Sequence, residues 1–116
     1  MFEIERNTIW LTRGDTFKAY IDIKDRDGDT YEPEVGDVLK FHLKRHYEDE
    51  TCIIDKTIPT DPILLWLQPS DTQNLPYGNY VYEVELTFAN GDVDTIIGKA
   101  PEPKDDAKLI LTKEVK

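Results

Sequence analysis

Apolar side chains recur at every second position through most of this chain, while the three-and-four spacing of an amphipathic helix is hard to find in it. From Thr16, the residues Phe17, Ala19, Ile21 and Ile23 fall on one side of an extended segment and Lys18, Tyr20, Asp22 and Lys24 on the other. Asp25-Arg26-Asp27-Gly28-Asp29 ends that run, because an Asp-Gly pair tolerates the positive φ angles of a tight reversal. Residues 38–44 repeat the pattern with Leu39, Phe41 and Leu43 inward and Lys40, His42 and Lys44 outward. A shorter apolar piece, residues 52–54, follows the acidic loop 47–50. The strongest alternation lies in residues 78–88, where Tyr80, Tyr82, Val84, Leu86 and Phe88 oppose Val81, Glu83, Glu85 and Thr87. Asn90-Gly91 supplies a second turn pair, residues 93–97 read as the returning strand of a hairpin, and Gly98 marks a bulge or kink.

Ile63, Leu64, Leu65, Trp66 and Leu67 are apolar on both faces, which predicts a short interior strand or one covered by a neighbouring surface. Leu109 and Leu111, after the Pro-rich linker 101–104, predict a last strand, and Ile4 with residues 9–11 predicts one or two at the start. Seven prolines and six glycines interrupt the chain too often for a helical window of about 12 residues. Helix is confined to a single turn in residues 69–75, with Ser70 or Asp71 as its cap and Leu75 tucked under the sheet. The result is an all-β, immunoglobulin-like antiparallel sandwich of about seven to nine strands.

Length adds that residues 1–116 form one domain, since a chain of 116 residues closes one core and is too short for two. The hydrophobic fraction of 39%, with two Trp, six Tyr and four Phe, suffices to fill that core although 33% of the residues are charged. A formal charge of −10 repels phosphate backbones and anionic headgroups, so neither nucleic acid nor membrane is an expected partner. The longest apolar run is far short of the roughly 20 residues that span a bilayer, and the start lacks the apolar stretch of a secretory signal. Residence in a cytoplasm is therefore expected. Cys52 is the only cysteine, so no disulfide closes within the chain.

Candidate chemistry is sparse. Asp25, Asp27 and Asp29 resemble calcium ligands, but the glycine and glutamate of an EF-hand loop are out of register, and a solvated hairpin tip explains them. His42, His46 and Cys52 are the soft ligands, one short of the four donors of a structural zinc site, and both histidines fall on a polar strand face. Cys52 beside Ile53 and Ile54 reads as a small core residue. Arg13-Gly14-Asp15 matches an adhesion tripeptide and equally a turn feeding the next strand. Trp10, Trp66, Tyr20, Tyr31, Tyr47 and Tyr77 could form a sugar-stacking platform, although core packing explains at least one Trp more simply. No nucleophile–base order and no phosphate-cradling glycine loop stand out, so no catalytic, cofactor or metal residues are assigned and the chain is expected not to be an enzyme.

Residues 71–82 resemble the corner that enters strand F of immunoglobulin-like sandwiches, with Asp71, Thr72, Leu75, Gly78 and either Tyr80 or Tyr82 as its parts. There a buried leucine anchors the turn and a tyrosine hydroxyl bonds back to upstream backbone; the cysteine pair of antibody domains is missing here. More widely, residues 11–16, the strand closed by Asp27-Gly28, residues 69–82 and residues 94–97 together resemble small structural proteins of tailed phages and prophages. These include the N-terminal sandwich domain of baseplate upper proteins in phages of Gram-positive bacteria. The resemblance implies a virion component of baseplate, tail or capsid surface that acts through protein partners, forms a homo-oligomer or docks onto a larger ring, and passes from the host cytoplasm into the particle. Residues 63–67 would then suit a covered interface, and the charge of −10 would keep free subunits apart until docking. A carbohydrate-binding or adhesion module built on the aromatic residues is the alternative.

Overall fold

A strand buried on one face shows its alternation directly, and in the computed structural model the described residues form nine strands and one helical turn. They are β1 (Phe2–Glu5), β2 (Thr8–Thr12), β3 (Phe17–Tyr20), β4 (Val38–Lys44), β5 (Ile54–Ile58), β6 (Leu64–Leu67), α1 (Pro69–Thr72), β7 (Gly78–Thr87), β8 (Val93–Ile97) and β9 (Lys108–Thr112). The structure describes residues 2–5, 7–25, 27–102 and 105–113. Arg26 of the first turn and Pro103 and Lys104 of the Pro-rich linker lie outside the described residues.

The long alternating segment becomes β7, and its ten residues organise the larger sheet. One edge pairs antiparallel with β4 over residues 81–87. The opposite edge is shared, β9 taking residues 78–81 and β8 taking residues 84–87. Among the described residues the sheet has seven strands in the order β1-β2-β9-β7-β4-β5, with β8 also on β7, and the second sheet holds β3 and β6. The expected all-β sandwich is therefore present. One pairing departs from the antiparallel rule, β2 running parallel to β9. The bulge expected near Gly98 falls two residues earlier: Val84 faces Ile97 and Glu85 faces Thr95, which leaves Ile96 over.

Between the sheets lies one core. Phe17 from the small sheet meets Leu39, Phe41 and Leu43 of β4, Tyr80, Tyr82, Val84 and Leu86 of β7, and Leu109 and Leu111 of β9. The Phe41 and Tyr82 rings are 5.6 Å apart. Two strand readings are corrected here. The strand expected over residues 52–54 begins instead at Ile54 and runs to Ile58, because Lys56 shares the inward register with Ile54 and Ile58 and hides their alternation. Lys56 reaches across the sandwich edge, donating to the Trp66 carbonyl at 3.2 Å and pairing with Asp71 at 2.5 Å. The strand in residues 63–67 is not an interior one. It pairs with β3, burying Leu65 and Leu67 while Leu64 is half-buried and Trp66 is exposed.

Of the two tyrosines considered for the corner, Tyr80 is the one whose hydroxyl bonds to backbone just upstream, donating to the Pro76 carbonyl at 2.6 Å. Tyr82 instead donates to the Asn7 carbonyl at 2.7 Å and fastens the start of the chain to β7. Thr72 is fully buried, and its hydroxyl accepts the Gly14 N–H at 3.0 Å. Half-buried Leu75 packs against the core, and Gly78 takes a φ of 129°. The single helical turn is present, but neither Ser70 nor Asp71 is its N-cap. Gln68 holds that position, Pro69 opens the first turn, and the Asp71 carboxylate accepts the Gln68 N–H at 2.7 Å.

Removing one hydroxyl leaves the Tyr80 ring in place, so Tyr80→Phe is expected to cost about 1 kcal/mol by urea unfolding while preserving the β-type circular dichroism. Leu67→Ala, which empties part of the core, is expected to cost about 2–5 kcal/mol in the same measurement. Equal costs for the two variants would contradict the corner's assignment to a single hydrogen bond.

Candidate functional site

The small sheet separates its side chains cleanly. Phe17 lies opposite Leu67 and Ala19 opposite Leu65 on the core side, whereas Lys18 lies opposite Trp66 and Tyr20 opposite Leu64 on the outer side. No further strand is layered over that outer face among the described residues. Tyr20 is 75% exposed and Trp66 44%, and the Lys18 ammonium sits 4.5 Å from the Trp66 ring centre. Of the five residues expected at an interface, Leu65 and Leu67 are consumed by the chain's own core. Leu64 and Trp66 remain on the outer face, and Ile63 lines the groove beside it.

That groove encloses about 580 Å³ where residues 20–23, 30–35 and 60–63 meet. The middle segment is held by one carboxylate. Asp37 accepts the Tyr31 hydroxyl at 2.5 Å, the Glu34 N–H at 2.9 Å and the Ala89 N–H at 3.0 Å, which ties the loop to the turn between β7 and β8. The Tyr31 ring stands edge-on to Phe88 with centres 5.9 Å apart. Gly36 makes the approach possible: its φ is 97°, and an added Cβ would lie 2.9 Å from the Ala89 Cβ. The shared hydrogen bond pushes the Tyr31 phenol up to about 12, with burial adding to the rise. The same bond holds the Asp37 carboxyl below its ordinary range, helped by the Glu34 N–H.

The other candidates take structural places. In the first turn the Asp25 carboxylate accepts the N–H groups of Asp27 and Asp29, at 2.9 and 3.0 Å. Arg13 donates to the Leu75 carbonyl at 3.2 Å and to the Tyr77 hydroxyl at 2.8 Å, and its guanidinium lies 4.0 Å from the Tyr77 ring centre. With Gly14 bonded to Thr72, the Arg-Gly-Asp tripeptide packs beside the corner. The six aromatics do not gather into one platform. Tyr20 and Tyr31 share the groove, Lys18 and Arg13 sit over the Trp66 and Tyr77 rings, and half-buried Trp10 stands on β2. Tyr47 donates to the Ala107 carbonyl at 2.6 Å, and burial raises its pKa.

His46 and Cys52 do not join His42 at a metal-like site. Among the described residues, His42 instead meets Glu83 and Glu85, three ligand atoms lying within 4.8 Å of one another. The β4–β7 register makes this group by placing His42 opposite Glu83 and Lys40 opposite Glu85. An imidazole with two carboxylates is a donor set zinc can accept. Here the group belongs to a cross-strand charge ladder, in which Lys44 approaches Glu83 to 3.9 Å and Asp55 lies 2.7 Å from Lys40 and 3.5 Å from His42. The Lys40 ammonium holds the Asp55 carboxyl below its usual range. No sequence signal marked this group, since its members are neighbours only through strand register.

Asp37 is more acidic in the folded chain than in an unfolded one, so the stability it contributes is complete above the ordinary carboxylate pKa of 3.8 and fades as pH falls through the lower folded value. Asp37→Asn is expected to melt below the parent at neutral pH and to lose less on acidification from roughly pH 5 to pH 2. Thermal melts across that range check it, and parallel curves for the two proteins would contradict the role given to Asp37. No protein-family model, no curated protein and no solved structure matches the chain.

Proposed function

We propose that this protein is a non-enzymatic structural component of a phage or prophage virion, carried on baseplate, tail or capsid, and that it works by docking against other protein chains. The outer face of the β3–β6 sheet carries the proposal. An exposed tyrosine and tryptophan with a half-buried leucine, set on two strands and left without a covering layer among the described residues, have the composition of an interface core. The virion as destination rests on the sequence resemblance. Its chemistry fits the charge of −10, which keeps free copies apart in the host cytoplasm until a partner offsets it. Assembly is as a homo-oligomer or as copies set on a larger ring.

The edges of the sandwich suit the same role. Lys56 points inward from edge strand β5 and occupies the Trp66 carbonyl of β6, which hinders random strand addition there and leaves the side-chain face as the route of contact. A glycan ligand is the rival reading, favoured by Tyr20 and Tyr31 lining one groove with carboxylates.

Fractionated lysates of cells that encode the protein and produce particles provide the test. The parent chain is expected to sediment with particles. Tyr20→Ser with Trp66→Ser is expected to keep the parental circular dichroism yet remain in the soluble fraction. A parent chain that never travels with particles would sink the virion reading, and binding on a glycan array would favour the rival.

A further inference from the structure

We infer that the groove beside Tyr20 receives an extended basic segment of the docking partner, one that places lysine or arginine around an apolar or aromatic anchor. This deepens the docking reading and rests on it. The more buried lining is apolar: Ile23 is buried, and Ile21, Tyr31, Pro33 and Ile63 are half-buried. The exposed lining holds four carboxylates, Asp22, Glu32, Glu34 and Asp61, beside Tyr20, Thr30, Val35 and Pro62. Among the described lining residues there is no lysine, arginine or histidine. Lys24 meets Asp22 at 3.2 Å, but both are more than half exposed and such a surface pair is worth little. Glu32, Glu34 and Asp61 form no ion pair among the described residues.

Three features select the occupant. The four carboxylates do not converge within metal-ligand distance of one another, as His42, Glu83 and Glu85 do, so they suit several separate cationic side chains better than one ion. A second copy of the chain, at −10, would bring acid against acid. A glycan would stack on exposed ring faces, and of the two tyrosines in the groove Tyr31 is half-buried with its hydroxyl committed to Asp37. A volume of about 580 Å³ is in the range that accepts a few side chains. The loop that forms the acidic side is already fixed by Asp37 and Gly36, which lowers the ordering cost of binding.

The test titrates the full chain, at low salt, with a synthetic peptide alternating lysine with leucine and tyrosine, and follows backbone amide shifts. Shifts are expected at residues lining the groove. Glu32→Gln, Glu34→Gln and Asp61→Asn together are expected to weaken binding roughly tenfold, whereas Glu48→Gln, Glu50→Gln and Asp94→Asn, an equal loss of charge outside the groove, change it less than about twofold. Equal weakening in both triple variants would show unspecific attraction and overturn the inference. So would groove shifts caused by soluble oligosaccharides and not by the peptide. If the chain travels with particles and the peptide leaves the groove untouched, this inference falls alone; if the groove binds the peptide and the chain never joins a particle, the virion destination falls instead.

Discussion

Tyr80, Tyr82, Val84 and Leu86 leave β7 on one side, and taking that row out of water is the constraint from which the rest of the structure follows. A strand of ten residues offers hydrogen bonds along both edges, and three others meet them: β4 along one edge, β9 and β8 in succession along the other. The two tyrosines add oxygen atoms to an apolar row, and both are satisfied by carbonyls, at Pro76 and Asn7. Those bonds fix the corner before β7 and the start of the chain beside it. Burial also raises the Tyr82 pKa, in keeping with a neutral phenol inside the core.

The second layer is narrower than the first. Two strands face a sheet of seven, and loops with one helical turn complete the cover. Every residue of β3 and β6 therefore has a marked role: Phe17, Ala19, Leu65 and Leu67 close the core, while Lys18, Tyr20, Leu64 and Trp66 form the outer face. Where β3 gives way to loop at Ile21, the chain spreads and the acidic groove opens. The outer face of the small sheet and the groove share Tyr20 and form one continuous surface. A partner with an apolar anchor and flanking positive charge would use both parts at once.

Charge is arranged differently on the outer side of the larger sheet. There Lys40, His42 and Lys44 alternate with the carboxylates of Asp55, Glu83 and Glu85 across three strands, so attraction runs along the surface and tightens the strand pairing. In the groove only Asp22 has a cation beside it, Lys24, while Glu32, Glu34 and Asp61 form no ion pair among the described residues. The ladder pairs Lys40 and Lys44 with carboxylates of neighbouring strands, whereas three of the four groove carboxylates have no such pair among the described residues.

Several features were legible in the chain alone because their causes are local. Alternation over two residues reports a strand whatever lies across from it, and Asp27-Gly28 and Asn90-Gly91 report reversals through backbone freedom. The corner residues stood out, but Tyr80 and Tyr82 share one face and no local rule says which hydroxyl bonds back; the distances to Pro76 and Asn7 decide it. The place of β5 is hidden in the sequence because Lys56 occupies an inward position, satisfied by Asp71 and Trp66 from outside the strand. Residues 63–67 lacked polar contrast, so only packing could show which side keeps Trp66 in water. The parallel pairing of β2 with β9, the meeting of His42 with Glu83, and a groove drawn from residues 20–23, 30–35 and 60–63 are decisions of tertiary structure. Sequence determined which side chains must be hidden, since solvation acts on each residue where it stands; the fold alone determined which charges and rings become neighbours, since those forces depend on distance in space.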